Sequence, residues 1–305
     1  MKPWQHCRLI WALVFLLGIV CTAGTARAQS ELEKTLQTYA ADAVTGYIQP
    51  VADLFGANMN SGFYHSAAIP KTGLHISFDI IGMASMVSDD QKTYSAKTPP
   101  GFNPAEFKTS TVFGPKENTT VKDANTGLSY NGSGGVINAS LFPLAAPQLT
   151  IGSFFGTQAT IRFIATPSLG DGKFPNMTLF AVGVRHSISQ YIPAFPVDIA
   201  AGVFYNKFRV GDLIDFTGVS VGAEASKSFS VLHIYGGFAY EKSTMNLSYT
   251  STTAGIPPVN IDLEGANKFR ATIGLGLGLG FFNIFADANF GSVTCFSGGI
   301  GFGSY

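Results

Sequence analysis

The chain is short of charge. Only 12% of its 305 residues are Asp, Glu, Lys or Arg, and the two signs cancel to a formal net charge of zero. Soluble domains carry about 25% charged residues, and a nucleic-acid partner requires a basic excess to neutralise phosphates. Binding to nucleic acid is therefore excluded. Cysteine is equally scarce: Cys7 and Cys21 fall in an N-terminal targeting segment, so Cys295 has no intramolecular partner. The histidines lack metal-ligand spacing and no glycine-rich loop opens a helix, so neither a metal nor a cofactor is expected. Long apolar runs are missing too. Leu9 to Val20 is roughly a dozen residues against the ~20 of a spanning helix, and the 46% hydrophobic content is low for a helical membrane protein.

What is present is a two-residue rhythm. From Phe269 to Phe281 every second residue is apolar, with Arg270, Thr272 and glycines between. A period of 2 places one greasy and one polar face on a strand. The rhythm returns along most of the chain, and too few helical segments exist to cover those faces. The fold class expected is all-β: a closed antiparallel transmembrane β-barrel of about 12 strands (range 10–14) preceded by a short N-terminal helix.

Lys2 and Arg8, the apolar run and Ala26-Arg27-Ala28 read as a signal peptide over 1–28. A lipoprotein reading at Cys21 is set aside because bulky Val20 precedes it. Residues 29–72 form the next unit. Ser30 and Glu33 resemble a capping box, and Leu32, Leu36, Tyr39, Ala43 and Tyr47 recur at helical spacing until Pro50, which is expected to end or kink the helix. Two positions are open to it: the periplasm, or the bore as a plug.

The barrel unit is 73–305. Leu74, Ile76, Phe78 and Ile80 are expected outside with His75, Ser77 and Asp79 inside, and the same reading applies over 157–166, 178–188, 197–206, 216–226, 231–241, 269–281 and 283–290. Phe296, Ile300 and Phe302 share one face of the last strand. Separate strands at 136–142, 147–155 and 243–252 complete about twelve, and a hairpin around Phe107 to Val121 would give fourteen. Long outside loops are expected at 88–135 and 250–266. The run Thr166 to Asn176 then falls on the periplasmic side, where short turns are the rule.

The segments Tyr47-Ile48-Gln49-Pro50, Asn58 to Tyr64, Thr160 to Phe163, Gly183 to His186, Pro193 to Asp198, Ser226 to Phe229 and Gly298 to Phe302 resemble an uncharacterised family of Gram-negative outer-membrane barrels. More distantly, the layout is similar to the long-chain fatty-acid transporters of the outer membrane. The resemblance implies fold and location, and supplies no activity. Tyr305 provides the terminal aromatic residue common in such barrels, out of phase with Ile300 and Phe302.

The expected lumen-lining candidates are Asp79, Arg162, Arg185, Asp198, Glu224, His233, Glu241, Arg270 and Asp287. Charges of both signs in a narrow bore are expected to pair across it, with Arg162 and Arg185 close to one another or to a shared acid. The glycines at 274, 276, 278 and 280 either accommodate bulky neighbours or receive the helix. No enzyme is expected: His186 and Ser187 point to opposite faces of one strand, and His75 with Ser77 merely shares a face. The leading expectation is passive passage of small hydrophobic solutes. The alternative is a structural or adhesive surface barrel whose loop 88–135 meets an external partner. Other partners expected are outer-membrane lipids and the secretion and barrel-insertion machinery.

Overall fold

The computed structural model describes residues 41–168, 175–249 and 259–303. The signal peptide, Ser30, Leu32, Glu33, Leu36, Tyr39, residues 250–258 and Tyr305 lie outside that range.

Among the described residues one α-helix, α1 (Ala41–Met59), precedes fifteen strands. Ten close a barrel: β1 (His75–Met86), β6 (Leu141–Phe154), β7 (Thr157–Thr166), β8 (Met177–Ser187), β9 (Asp198–Val210), β10 (Ile214–Phe229), β11 (Leu232–Tyr249), β13 (Phe269–Leu279), β14 (Phe282–Phe290) and β15 (Cys295–Gly303). Every neighbour is antiparallel. β1 joins β15 and β6, and β10 joins β11 from Ile214↔Leu247 to Phe229↔Leu232, so this wall has no open edge along that join. β12 (Val259–Glu264) pairs onto β11 outside the ring. The wall strands run from 9 to 18 residues, at or above the ~9–11 a tilted spanning strand requires.

The wall is turned inside out relative to a soluble protein. Ile76, Phe78, Val184, Val203, Ile273 and Phe302 are exposed, while Asp79, Arg162, Glu241 and Arg270 are buried. The alternation puts them there: Phe78 is 47% exposed and its neighbour Asp79 0%.

The strand number is ten rather than twelve because two expected pairs of strands are each one strand. β6 runs straight through Pro143 and Pro147. β7 pairs with it only from Gln148↔Arg162 onward, so both prolines stand where β6 has one neighbour and a missing N–H is tolerated. β11 runs through Lys242 and Ser243 with its phase kept but its chemistry reversed. Above Glu241 the inward residues are Ser243, Met245 and Leu247, and Lys242 and Thr244 are exposed. There the strand rises past the apolar belt and covers a greasy interior. The expected fourteenth strand is absent as well: β3 (Glu106–Ser110) pairs with β2 (Thr93–Lys97) and β4 (Thr119–Lys122) with β5 (Ser129–Gly132), two small hairpins outside the wall.

Ten strands also relocate the connection after Thr166. It now lies at the same end as residues 87–140 and the β11–β13 connection, while 155–156, 188–197, 230–231 and 280–281 turn at the opposite end. The first is the long-loop end; the second, the short-turn end, carries three two-residue turns and the ten-residue connection 188–197.

Candidate functional site

The interior of the barrel is occupied by the chain's own residues from Val44 to Ile69. α1 enters at the long-loop end, packed against β1, β2, β6, β11, β12 and β15. It does not stop at Pro50 but runs on to Met59. An interior proline costs about 3 kcal/mol, and each fully buried Val, Ile, Leu, Phe or Met contributes about 1.5–3 kcal/mol. Val44, Tyr47, Ile48, Leu54, Phe55 and Met59 are all buried, which outweighs the loss. Phe55 lies among Phe208 and Phe216, with ring centroids 4.9 and 4.8 Å away.

The outside loop covers this end as a lid. The Val112 N–H donates to the Tyr47 carbonyl (3.0 Å) and the Tyr47 hydroxyl to that of Gly134 (3.0 Å). Phe113 is buried against Phe142. A turn in the lid is tied by Asp123, whose carboxylate accepts from the Thr126 hydroxyl and the Asn103 N–H. These hydrogen bonds, the Thr126 one foremost, hold its pKa below the ordinary carboxylate value.

Below Met59 the chain leaves the helix and descends to Gly73 through a series of bends, with no helix or strand. Three arginines of the wall clasp the plug by main-chain carbonyls. Arg270 Nη2 donates to the carbonyl of Ala57 (2.7 Å), Arg162 Nη2 to Ser61 (2.8 Å) and Arg185 Nη1 to Ser66 (2.8 Å). The first meets the carbonyl end of α1, where the helix leaves acceptors without intrahelical donors and its dipole favours a cation. Arg162 also lies over the Phe63 ring, 3.7 Å from its centroid, and bonds Gln148. Phe63 stacks on Phe204 at 4.4 Å. At the bottom, the Ser226 hydroxyl accepts from the Ala67 N–H (2.9 Å).

The ion pairs run along the wall instead of across the bore. Arg185 on β8 passes over Gly202 of β9 to reach Glu224 on β10. A Cβ at Gly202 would stand 2.9 Å from the Arg185 Cγ, so only glycine leaves that path clear. Arg270 holds Glu241 on the adjoining β11 at 3.0 and 3.2 Å. Arg162 and Arg185 therefore do not share an acid: Arg162 is held by Gln148, Phe63 and the Ser61 carbonyl. The reason is the plug, which occupies the space a cross-bore pair would span.

The remaining candidates are placed as follows. Asp287 accepts from the Tyr235 hydroxyl (2.9 Å), Asn289 and Ser297. Asp79 accepts from Ser77 at 3.2 Å. His233 is half-buried near the short-turn end, bonded to Ser228 at 2.8 Å, and Asp198 is half-buried at the start of β9 opposite Ser226. The glycine strip of β13 receives wall side chains: a Cβ at Gly274 would stand 2.3 Å from the Tyr235 ring. His186 bonds Thr157 and Tyr191, while Ser77 serves Asp79, so neither serine weighed as a nucleophile is bonded to a histidine. Among the described residues no group of three His, Cys, Asp or Glu is placed to hold a metal.

Sequence reasoning missed Asn58. Its Nδ2 donates to the Phe142 carbonyl (2.6 Å), and its Oδ1 accepts from Ser85 (2.7 Å) and lies 3.2 Å from the Cys295 Sγ. The signal was Asn58, Asn60 and Ser61 following directly on an apolar run. The plug fills the bore at these levels. Among the described residues, two of the cavities that border the plug hold about 20 Å³ each, with room for about one water.

The class defined is a closed ten-stranded antiparallel barrel with an apolar exterior, a polar lower interior and an internal plug. The chain belongs to a family of unknown function, DUF6588, matched over residues 4–304. No curated protein matches it. Among solved structures it is similar to the outer membrane protease OmpT of Escherichia coli (6% identity, TM-score 0.34, covering 78% of this chain and 100% of that one). It is also similar to the toluene transporters TodX of Pseudomonas putida (12%, 0.29, 86% and 75%) and TbuX of Ralstonia pickettii (8%, 0.28, 83% and 98%).

Proposed function

We propose that this protein is an outer-membrane barrel sealed by its own N-terminal segment, working through its lid at the long-loop end and not as a water-filled pore. The exposed apolar wall around buried charge supports a lipid surrounding. The observation that carries the reading is the column of residues 41–73 held by Arg270, Arg162 and Arg185, beside cavities of about 20 Å³. Outer-membrane lipids and the secretion and insertion machinery are its partners, and no catalytic step is assigned. In proteoliposome swelling with sugars, the expected rate equals that of protein-free vesicles; fast, unselective swelling contradicts the reading. Deleting 88–135 is expected to abolish attachment to cells or matrix while membrane integrity is kept, and unchanged attachment contradicts the lid's role.

One feature favours a second reading, passage of small hydrophobic solutes through the wall. Where β6 has lost β7, its outward residues Leu141, Pro143, Ala145 and Pro147 and its inward Phe142, Leu144 and Ala146 are all apolar, which links the lipid side to the greasy upper interior. Changing Pro143 and Pro147 together to Val restores two N–H donors to that edge. Loss of apolar-solute uptake in this variant supports the route; unchanged uptake removes it.

A further inference from the structure

Among the described residues the chain crosses the bore once, and β1 measures its descent. At the long-loop end of that strand, Ser85 bonds the Leu54 carbonyl (2.9 Å) and Asn58 Oδ1 (2.7 Å). Lower down, a Cβ at Gly62 would stand 2.7 Å from Ile81. At the foot, the Pro70 carbonyl accepts from Ser153, and that of Lys71 from the Gly156 N–H (3.1 Å) in the 155–156 turn. β10 gives the same order: Asn60 packs over Gly218, and Ala67 bonds Ser226, closer to the 230–231 turn. Ten wall strands and one pass through the bore make an odd number of crossings. The N-terminal side of α1 and the end of β15, where Gly303 stands opposite Ser77, therefore lie at opposite ends of the barrel.

The upper end of this pass lies beyond the wall. The Tyr94 ring of β2 lies on Gly46, and Gln49 Nε2 donates to the Glu264 carbonyl (2.8 Å). The Ala57 carbonyl meets Arg270, at the long-loop end of β13. At 1.5 Å per residue, Ala41 is about 24 Å further along the helix than Ala57. Phe269, next to Arg270, pairs outward with Tyr240, their ring centroids 5.6 Å apart. Aromatic residues girdle such barrels at the membrane surfaces, and the longer loops face outward. Ala41 thus clears the apolar belt on the outer side.

We propose that the barrel displays its own N-terminal chain: the polypeptide ahead of Ala41 stands on the outer face of the membrane and emerges beside β2 of the lid. A chain delivered from the inner side has to bring that part across. The ring closes only when β15, its last strand, pairs with β1, its first. Chains do not thread a finished ring, so the plug takes its place before closure and carries the N-terminal chain over. The lid and the emerging chain then form one surface, open to the same external partner. This rests on the outer-membrane reading above, and not on the bore being impermeable.

The test is labelling of single cysteines in intact cells with a polyethylene-glycol maleimide too large for outer-membrane pores, read as a band shift on electrophoresis. Ser30→Cys and Gln37→Cys probe the N-terminal chain, the second keeping the test valid where processing removes Ser30. Lys122→Cys, exposed in the lid, and Pro193→Cys, exposed at the short-turn end, report the two faces. The unaltered protein, with Cys295 buried, is the blank. Gln37→Cys is expected to shift in intact cells as completely as Lys122→Cys, with Pro193→Cys shifting only after the outer membrane is permeabilised. Gln37→Cys and Ser30→Cys protected until permeabilisation, while Lys122→Cys shifts in intact cells, overturns the proposal. Pro193→Cys shifting while Lys122→Cys is protected overturns the orientation on which it rests. Failure of the outer-membrane reading is distinguishable, because Lys122→Cys and Pro193→Cys would then react alike.

Discussion

The two halves of the plug are held by different physics. In the upper half α1 presents Val44, Tyr47, Ile48, Leu54, Phe55 and Met59 to a greasy lining of Phe142, Phe208, Phe216, Leu247, Ile261 and Leu263, as a helix does in a water-soluble core. In the lower half residues 60–70 run without helix or strand past Arg162, Arg185 and Glu224, and are fixed by directional bonds to their own main chain at Ser61, Ser66 and Ala67. Burial is non-directional and scales with area. Bonds to carbonyls specify position. The upper half therefore supplies most of the sealing energy, and the lower half fixes the path of the chain.

The largest expected effect comes from charging the upper half. Phe55→Asp buries an unpartnered carboxylate among aromatic rings and is expected to prevent folding of the barrel, read as loss of the heat-modifiable band on electrophoresis. In the lower half, Arg185→Leu strands Glu224 and is expected to cost about 3–5 kcal/mol in urea unfolding from detergent. Arg185→Leu with Glu224→Leu is expected to recover most of that. If the double change is no better than the single, the pair is not what holds this level. Arg162→Met removes a charged bond to the Ser61 carbonyl and the cation over Phe63, with an expected loss of about 2 kcal/mol. The smallest effect is in the lid. Asp123 has a folded pKa below its ordinary 3.8, so its contribution is complete above that value and fades as pH falls through the lower, folded one. Proteolysis of the lid is thus expected to quicken only below about pH 4, with α1 still protected. Equal cleavage at pH 3 and pH 7 contradicts this.

The same contrast explains what the sequence made legible. Where lipid lies outside and polar groups inside, alternation is clean, and residues such as Ile76, Ser77, Phe78 and Asp79 reveal both faces. In the upper half the inner face turns apolar, so Phe142 and Leu144 on β6 carry no alternation against Leu141 and Pro143. Met245 and Leu247 on β11 invert it. Each change of chemistry along one continuous strand looked like two strands. Pro50 is a related case: local propensity ends or kinks a helix there, and burial carries α1 on to Met59. Charged positions could be assigned to the interior from phase alone. Their partners could not, because Arg162, Arg185 and Arg270 bond backbone carbonyls, which carry no side-chain signature.

Single-channel recording of the wild-type protein in planar bilayers tests the sealed bore most directly. A barrel filled by residues 41–73 gives a current indistinguishable from the bare membrane at neutral pH. Long-lived, ohmic steps of open-pore size in the unmodified protein would contradict it.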